Sequence, residues 1–104
     1  MISVVYITTP SLQVAKELAS SLLEARLIAC ANLVPQVVSM YRWEGKVNID
    51  EEVLLMCKTQ TSLFPSLQAH VLSKHPYKVP EIISVNVQDS LPAYRDWVVA
   101  ETTK

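Results

Sequence analysis

The sequence predicts a single α+β domain over residues 1–104. Two patterns carry this prediction: short runs of β-branched residues that are typical of strands, and longer segments whose apolar residues recur at helical spacing. A third observation is the solitary glycine, Gly45, which lies between two strand-like runs. A chain of about 100 residues usually forms one domain, and no linker, repeat or low-complexity segment divides this one.

The first strand and helix are predicted at the start of the chain. Residues 3–7, SVVYI, form a short, continuous and β-branched run, which is typical of a buried strand. Residues 12–27 follow as an amphipathic helix, and either Thr9 or Ser11 is expected to cap it. The apolar face of this helix comprises Leu12, Ala15, Leu18, Ala19, Leu22 and Leu23.

Two long strands, at residues 28–43 and 46–60, are predicted to form a hairpin that turns at Gly45. Because proline cannot donate to a sheet ladder, Pro35 predicts a bulge or an edge in the first arm. Both arms exceed the usual strand of about 5–6 residues, so they would overhang a small sheet and leave edges for a second chain. Alternation places one set of side chains on a shared face: Val47, Ile49, Val53, Leu55 and Cys57.

The turn also predicts a register for the hairpin. A two-residue loop pairs Trp43 with Lys46, and counting from that pair puts Cys57 opposite Asn32. The thiols of Cys30 and Cys57 are then offset along the ladder. No disulfide is expected between them, unless a bulge in the first arm shifts the pairing.

The second helix is predicted over residues 61–75, with Thr61 or Ser62 as its cap. It ends near His75 because the next residue, Pro76, disfavours helical backbone before it. The apolar face comprises Leu63, Phe64, Leu67, Val71 and Leu72.

A fourth strand at residues 81–87 and a short C-terminal helix complete the chain. Asp89 or Ser90 lies near the cap of that helix, and its inward-facing residues are expected to be Tyr94, Trp97 and Val98. The order β-α-β-β-α-β plus a C-terminal helix is typical of a ferredoxin-like fold, an antiparallel sheet with two helices on one face.

Composition excludes several classes of protein. Half of the residues are hydrophobic, 18% are charged, and the net charge is −1 without runs of like charge. This balance argues against nucleic-acid or membrane-surface partners. No apolar stretch approaches the roughly 20 residues of a membrane span, and no signal peptide is evident. Two cysteines are too few for a disulfide framework, which favours reduced thiols in a cytoplasmic protein. No phosphate-binding glycine motif or nucleophile–base set indicates an enzyme.

The segment HPYKVPEI holds the strongest ligand candidate. His75 lies at a helix end beside Tyr77 and Glu81, where it either binds a metal or caps the helix C-terminus. His70, five residues earlier, falls on another helix face and is expected to be a solvated residue, so the two histidines form no zinc-type pair.

Other candidates lie on the hairpin. Tyr41 and Trp43 share one face and form either a cross-strand cluster or a subunit contact. Lys58 lies in an apolar strand, where it either extends to solvent or lines a pocket that needs a cation. Cys30 and Cys57 are expected to be core residues.

Four motifs, RLIACANLVP, YRWEGKV, EEVLLMCKT and HPYKVPEI, together resemble the CutA family of divalent-cation tolerance proteins, in the right order from Val4 to Trp97. This resemblance implies a tight homotrimer of ferredoxin-like subunits whose long hairpins reach across to their neighbours. It also implies an architecture like that of PII-type signalling proteins, binding of Cu²⁺ or another divalent cation, and no firm enzymatic activity.

The resemblance also implies site residues. His75 and Glu81 match two proposed metal ligands of the family, whereas the first-strand cysteine of the family is replaced by Thr8. A threonine hydroxyl is a poor ligand for a soft metal. Lys78 occupies a place where many relatives carry an acid, which weakens the site for a cation.

Three functions follow as expectations. In the first, a trimer binds a divalent cation with His75 and Glu81. In the second, a PII-like sensor or scaffold takes a small anionic ligand or an unidentified protein partner at clefts between subunits. In the third, there is no ligand site and these residues serve trimer packing. The cleft residues would be Lys58, Tyr77, Trp43 and Cys30, and the trimer contacts would include Tyr41, Trp43 and Trp97.

Overall fold

The computed structural model describes residues 1–104. A short 3₁₀ turn, Thr61–Leu63, precedes the second helix. The elements in chain order are β1 (Ile2–Thr9), α1 (Leu12–Glu24), β2 (Cys30–Trp43), β3 (Lys46–Gln60), α2 (Phe64–Lys74), β4 (Ile82–Asn86) and α3 (Pro92–Glu101). The four strands form one antiparallel sheet in the order β2-β3-β1-β4, so the predicted ferredoxin-like plan is confirmed.

The main core lies between one face of the sheet and the helices α1 and α2. Alternate residues of β1 and β3 point to this face, which explains why side chains two apart in each strand are buried together. The largest buried side chains of this core are Val5, Ile7, Leu22, Ile28, Leu55, Leu67 and Val71.

Helix α3 lies against the opposite face of the sheet, at one end only. Val98 packs there with Ile2 and Ala29 in a small second core. The prediction that Tyr94 and Trp97 also face inward is wrong, because they are 38% and 43% exposed. A ten-residue helix over one end of a sheet buries a single stripe, and its other side stays in solvent.

The rest of that face is apolar and uncovered. We call it the open face, and it comprises Val4, Tyr6, Leu54, Met56, Ile83 and Val85. These side chains are half-buried or exposed, which is a large apolar area for a chain of this size to present.

The hairpin turn is confirmed. Trp43 pairs with Lys46, and the loop residues Glu44 and Gly45 have φ angles of 50° and 78°. Two consecutive left-handed residues are typical of a type I′ turn, whose twist matches that of the flanking strands. Gly45 adopts this backbone without steric cost.

The predicted bulge at Pro35 is also confirmed, and it changes the register. The pairing shifts between Val34 and Val37, where two residues of β2 oppose one residue of β3. Beyond the bulge the predicted register is therefore wrong by one residue, and Cys57 lies opposite Ala31. Both cysteines are free thiols.

The outer half of the hairpin projects beyond the sheet. Strand β1 pairs with β3 only over Val53–Gln60, so residues 37–52 pair only within the hairpin. Val47 and Ile49 lie on the predicted shared face of β3, but only its inner part is buried, since these two residues are 62% and 63% exposed. They lie beyond the reach of the two helices, in a molecule that measures 44 × 26 × 22 Å.

Helix α1 begins at a predicted cap but ends earlier than predicted. Ser11 caps α1, because its hydroxyl accepts a hydrogen bond from the Val14 N–H at 3.2 Å. The helix ends at Glu24, before the predicted residue 27, because Arg26 takes a left-handed φ of 57°. Two residues of its predicted apolar face, Leu12 and Leu23, are exposed.

Neither later helix has the predicted side-chain cap. The Thr61 hydroxyl instead hydrogen-bonds the Ser3 hydroxyl on β1, and no side chain caps α2 or α3. Leu72 is 54% exposed and so does not belong to the apolar face of α2. None of the three helices is long and apolar enough to cross a membrane.

Candidate ligand groove

A cavity of about 660 Å³ lies between the projecting hairpin and the loop at residues 75–81. We call it the hairpin groove. It brings together four of the predicted ligand and contact residues: Tyr41, Trp43, Tyr77 and Glu81. The remaining lining residues are Thr8, Ser39, Met40, Glu52, Pro76, Lys78 and Val79.

His75 fixes the loop that forms one wall of this groove. Its backbone N–H donates to the Val71 carbonyl at 2.8 Å, which ends α2. Its ring Nδ1 accepts the Tyr77 backbone N–H at 3.1 Å, and its Nε2 lies 2.7 Å from the Thr8 carbonyl oxygen on β1. The Tyr77 ring packs against the imidazole, with centroids 4.8 Å apart.

These contacts assign a single tautomer to His75. Nδ1 is an acceptor, so the proton is on Nε2, which donates to Thr8. Both ring nitrogens are therefore engaged within the chain, and neither directs a lone pair into the groove. The predicted end of α2 at His75 is confirmed, but the ring bonds β1 and its own loop and does not cap the last carbonyls of the helix. Metal binding by this ring would require it to release at least one partner.

A buried carboxylate lies at the base of the groove. Glu52 is 8% exposed and accepts a hydrogen bond from the Tyr77 hydroxyl at 2.7 Å. Burial, together with this bond and the negative charge of Glu52, raises the pKa of Tyr77 well above its ordinary value. Sequence reasoning missed Glu52. The available signal was the run of three acids at residues 50–52 inside a predicted strand.

A second phenol–carboxylate pair lies further out along the hairpin. The Tyr41 hydroxyl donates to Asp50, and this hydrogen bond raises the pKa of Tyr41. The hydroxyls of Tyr41 and Tyr77 thus both donate to acidic side chains of β3. These hydrogen bonds, and not packing alone, hold the aromatic walls of the groove in place.

The charged groups of the groove are Glu52, Glu81 and Lys78, which do not form an ion pair with one another. No group of three or more His, Cys, Asp or Glu side chains is close enough to hold a metal ion. The donors that one chain supplies are carboxylate and phenol oxygens. Such oxygens suit a hard or hydrated divalent cation and do not suit a soft, tightly bound Cu(I) ion.

Two other predicted cleft residues, Lys58 and Cys30, do not line the hairpin groove of the single chain. They pair directly across β2 and β3 on the side of the sheet that carries α3. The Lys58 ammonium donates to the Asn32 side chain and, at 3.1 Å, to the Met56 carbonyl. The lysine is thus satisfied by its own sheet.

Cys30 is half-buried rather than a core residue, and its thiol lies 3.4 Å from the Tyr94 hydroxyl. That contact and burial raise the pKa of Tyr94 to about 12. Cys57 is fully buried as predicted, and burial raises the pKa of its thiol to about 12, which makes it unreactive.

His70 is not a simply solvated residue. Its Nε2 lies 2.7 Å from the Ser21 hydroxyl and so joins α2 to α1. Burial and the nearby Lys74 lower the pKa of His70. Trp97, predicted as a trimer contact, is exposed on α3 and packs beside Tyr94, with ring centroids 5.7 Å apart.

The fold and the groove define a class: a ferredoxin-like α+β protein with a projecting hairpin and an acidic, aromatic groove at its base. Residues 3–101 match the family described as CutA1 divalent ion tolerance protein. The chain belongs to this family.

Individual relatives agree with that assignment. The Divalent-cation tolerance protein CutA of Thermus thermophilus is 46% identical over 102 residues, covering 98% of this chain and 99% of its own. The solved structure of the Thermus thermophilus protein, matched over 99% of this chain and 100% of its own, gives a TM-score of 0.96 at 46% identity. The periplasmic divalent cation tolerance protein CutA of Archaeoglobus fulgidus gives a TM-score of 0.96 at 33% identity, over 99% of this chain and 100% of its own.

Protein CutA of Mus musculus is 48% identical over 97 residues, which is 93% of this chain. The match covers 55% of the mouse protein, so this chain spans about half the length of that relative.

Proposed function

We propose that this chain acts in divalent-cation tolerance by binding a divalent cation, Cu²⁺ among them, in the hairpin groove of a homotrimer. The observation that carries the proposal is the buried Glu52 carboxylate, which lines the same groove as Glu81. A carboxylate that is 8% exposed is costly to bury unless it is paired, and one phenol satisfies only part of its accepting capacity.

Glu81 and Glu52 are the proposed oxygen ligands, with water or a neighbouring subunit completing the coordination. His75 can be a third ligand only if its ring breaks the hydrogen bond to the Thr8 carbonyl. Otherwise His75 acts as a positioning residue that holds Tyr77, and through it Glu52, in place. The two roles make different predictions for the bound metal.

The test combines affinity with spectroscopy. Calorimetric titration with Cu²⁺ should show saturable binding by the wild-type protein. Glu81→Gln should bind Cu²⁺ with an affinity at least about tenfold lower than that of the wild type, as expected for loss of one charged ligand. Electron paramagnetic resonance then reports on His75. Imidazole nitrogen coupling that disappears in His75→Gln identifies a ligand, and its absence in the wild type identifies a positioning residue. Unchanged affinity in both Glu81→Gln and Glu52→Gln would refute the groove as the cation site.

Lys78 provides a matched variant. Its ammonium lines the groove and opposes a bound cation, so Lys78→Gln should strengthen Cu²⁺ binding. The control is Lys16→Gln, which makes the same charge change on α1, outside the groove. Equal effects of the two substitutions would show that only the net charge of the protein matters.

The trimer is supported by the apolar surface that a single chain leaves uncovered. The open face and the outer hairpin expose large apolar side chains, of which Val38, Met40 and Ile49 are 68%, 68% and 63% exposed. Patches of this extent mark association surfaces, and the free edges of the hairpin can pair with another copy.

Aromatic side chains are the proposed subunit contacts, because such residues are enriched at interfaces. Tyr41 and Trp43, which are 42% and 46% exposed, are the proposed contacts on the hairpin, and Trp97 is the proposed contact on α3. Sedimentation equilibrium should give three times the mass of 11.6 kDa, and a monomer at micromolar concentration would contradict the proposal.

A second candidate function is a PII-like sensor or scaffold, in which the groove between subunits takes a small organic anion or a protein partner. The observation that favours it is the lining of Trp43 and Tyr77 rings beside the Lys78 ammonium. Lys58 and Cys30 would contribute from another subunit. A thermal-shift screen of metabolites separates the two functions: shifts with organic anions that Trp43→Ala abolishes favour the sensor, and shifts with metal ions alone favour cation binding.

We also propose that the protein is not an enzyme and that it works in the cytoplasm. The first proposal rests on the groove chemistry, since its only histidine neighbour has both ring nitrogens engaged and so offers no free base to activate Ser39, the serine that lines the groove. The second rests on the two free thiols. Because the Archaeoglobus relative is called periplasmic, fractionation of the source cells is the direct test.

A further inference from the structure

A second cavity, of about 640 Å³, lies where the ends of α1 and α3 meet the start of α2. We call it the basic pocket. It shares no lining residue with the hairpin groove and plays no part in the function proposed above. Its chemistry is also different, because its charged side chains are Arg26 and Lys104 and no Asp or Glu lines it. The imidazole of His70 also lines it, with a lowered pKa and with its Nε2 bonded to Ser21.

This concentration of positive charge is not a property of the whole surface. The chain carries 9 Lys and Arg against 10 Asp and Glu, so a cavity whose charged side chains are all basic runs against its composition. Arg26 makes no ion pair. Its guanidinium donates to the main-chain carbonyl of Glu101 at 3.3 Å. Most of the N–H donors of the guanidinium therefore stay available for a ligand.

Arg26 also has an unusual backbone conformation. It lies just after α1 with a φ of 57°, and the next residue, Leu27, donates its N–H back to the Leu22 carbonyl. This is the helix-ending position at which glycine is usual, because a side chain strains a left-handed backbone. The chain places arginine there and so holds a guanidinium at the pocket despite a conformational cost.

Neutral polar side chains complete the lining, of which the Thr103 hydroxyl already donates to the Val99 carbonyl at 2.6 Å. Hydroxyls of Ser66 and Thr103 and the amide of Gln60 line the pocket, and the amide is held in place by a 2.9 Å bond to the Thr102 hydroxyl. Ser66 lies in the first turn of α2, which has no side-chain cap, so the positive end of that helix dipole faces the pocket. The carbonyl ends of α1 and α3 also face it and oppose an anion, so the attraction has to come from the basic side chains.

We propose that the basic pocket binds a phosphate-type dianion, either free or carried on a small metabolite, with Arg26 as its principal ligand. Arginine presents paired N–H donors that match two oxygens of a tetrahedral oxyanion. The pocket volume exceeds that of one phosphate and leaves room for a carrier.

The test is a titration followed by amide NMR, with inorganic phosphate and glycerol 3-phosphate as the probes in a non-phosphate buffer. The wild-type protein should show saturable shifts at Leu27, Ser66 and Thr103. Tighter binding of glycerol 3-phosphate than of inorganic phosphate would show that the pocket also contacts the glycerol group. Equal binding would show that it recognises the phosphate group alone. Either result supports the site.

Arg26→Gly is the decisive variant, because it removes the guanidinium and also relieves the left-handed backbone. Its thermal midpoint should be equal to or above that of the wild type, while its affinity for phosphate falls about tenfold or more. Arg95→Gln removes the same charge on α3, outside the pocket, and should bind phosphate as the wild type does.

Three outcomes would overturn the proposal: no saturable shift at millimolar phosphate, equal losses in Arg26→Gly and Arg95→Gln, or shifts centred on Lys78 in the hairpin groove. None of these outcomes depends on whether the groove binds a cation.

Discussion

Removing the Tyr77 hydroxyl tests the contact at the base of the hairpin groove. Tyr77→Phe deletes the donor that lies 2.7 Å from the Glu52 carboxylate and leaves that carboxylate, 8% exposed, without its partner. A hydrogen bond to a charged group contributes about 1.5–3 kcal/mol to stability. Tyr77 is only half-buried, so water can partly replace its hydroxyl. We therefore expect a loss at the lower end of that range, about 1.5 kcal/mol.

Urea unfolding at fixed protein concentration measures this loss, because an oligomer's apparent stability depends on concentration. A double-mutant cycle with Glu52→Ala isolates the pair, and its coupling energy should be about 1 kcal/mol or more. The comparison variant is Tyr41→Phe, which breaks the similar bond to Asp50 on the exposed part of the hairpin and should cost less. A coupling energy below about 0.3 kcal/mol, the usual limit of additivity, would refute the claim that the Tyr77–Glu52 bond stabilises the groove.

Three further predictions concern the fold. Gly45 has a φ of 78°, and a Cβ added there meets no atom within 4 Å, so the left-handed backbone is the whole cost of a substitution. Gly45→Ala should therefore cost about 1–2 kcal/mol in urea unfolding, and no loss would contradict the type I′ turn. Leu67→Ala, at a site with no exposed side-chain area, should cost about 3 kcal/mol or more, whereas Leu72→Ala on the exposed side of α2 should cost far less. Since folding lowers the pKa of His70 below its ordinary 6.5, its contribution to stability is complete above pH 6.5 and is lost as the pH falls through the lowered value. His70→Gln should therefore flatten the pH profile of stability below about pH 6.5, and an unchanged profile would assign the acid sensitivity to other groups.

The local features of this protein were predictable from the sequence. The strand and helix order, the two-residue hairpin loop at Gly45, the bulge at Pro35 and the end of α2 at His75 all depend on neighbouring residues. Backbone sterics and side-chain periodicity act over a few positions, so they are visible in the sequence pattern. The predicted residues Tyr77 and Glu81 also line the groove for this reason, since one short loop carries both.

Other features needed the path of the whole chain. The register beyond the bulge depends on which strand takes the extra residue, so Cys57 lies one position away from its predicted partner. Burial of Glu52 depends on Tyr77, a residue 25 positions later in the sequence. The side on which α3 packs leaves Tyr94 and Trp97 exposed, which the amphipathic pattern alone did not predict.

The sequence by itself determined the order of the elements, what turns the hairpin and which loop carries the candidate ligands. Only the tertiary structure decided what those ligands are free to do. His75 looked like a metal ligand beside Glu81, yet its Nε2 is engaged by the carbonyl of Thr8, 67 positions away. Hydrogen-bond partners of this kind are set by the packing of α2 and its loop against β1, because a side chain bonds whatever the fold brings within about 3 Å and not what lies next to it in the sequence.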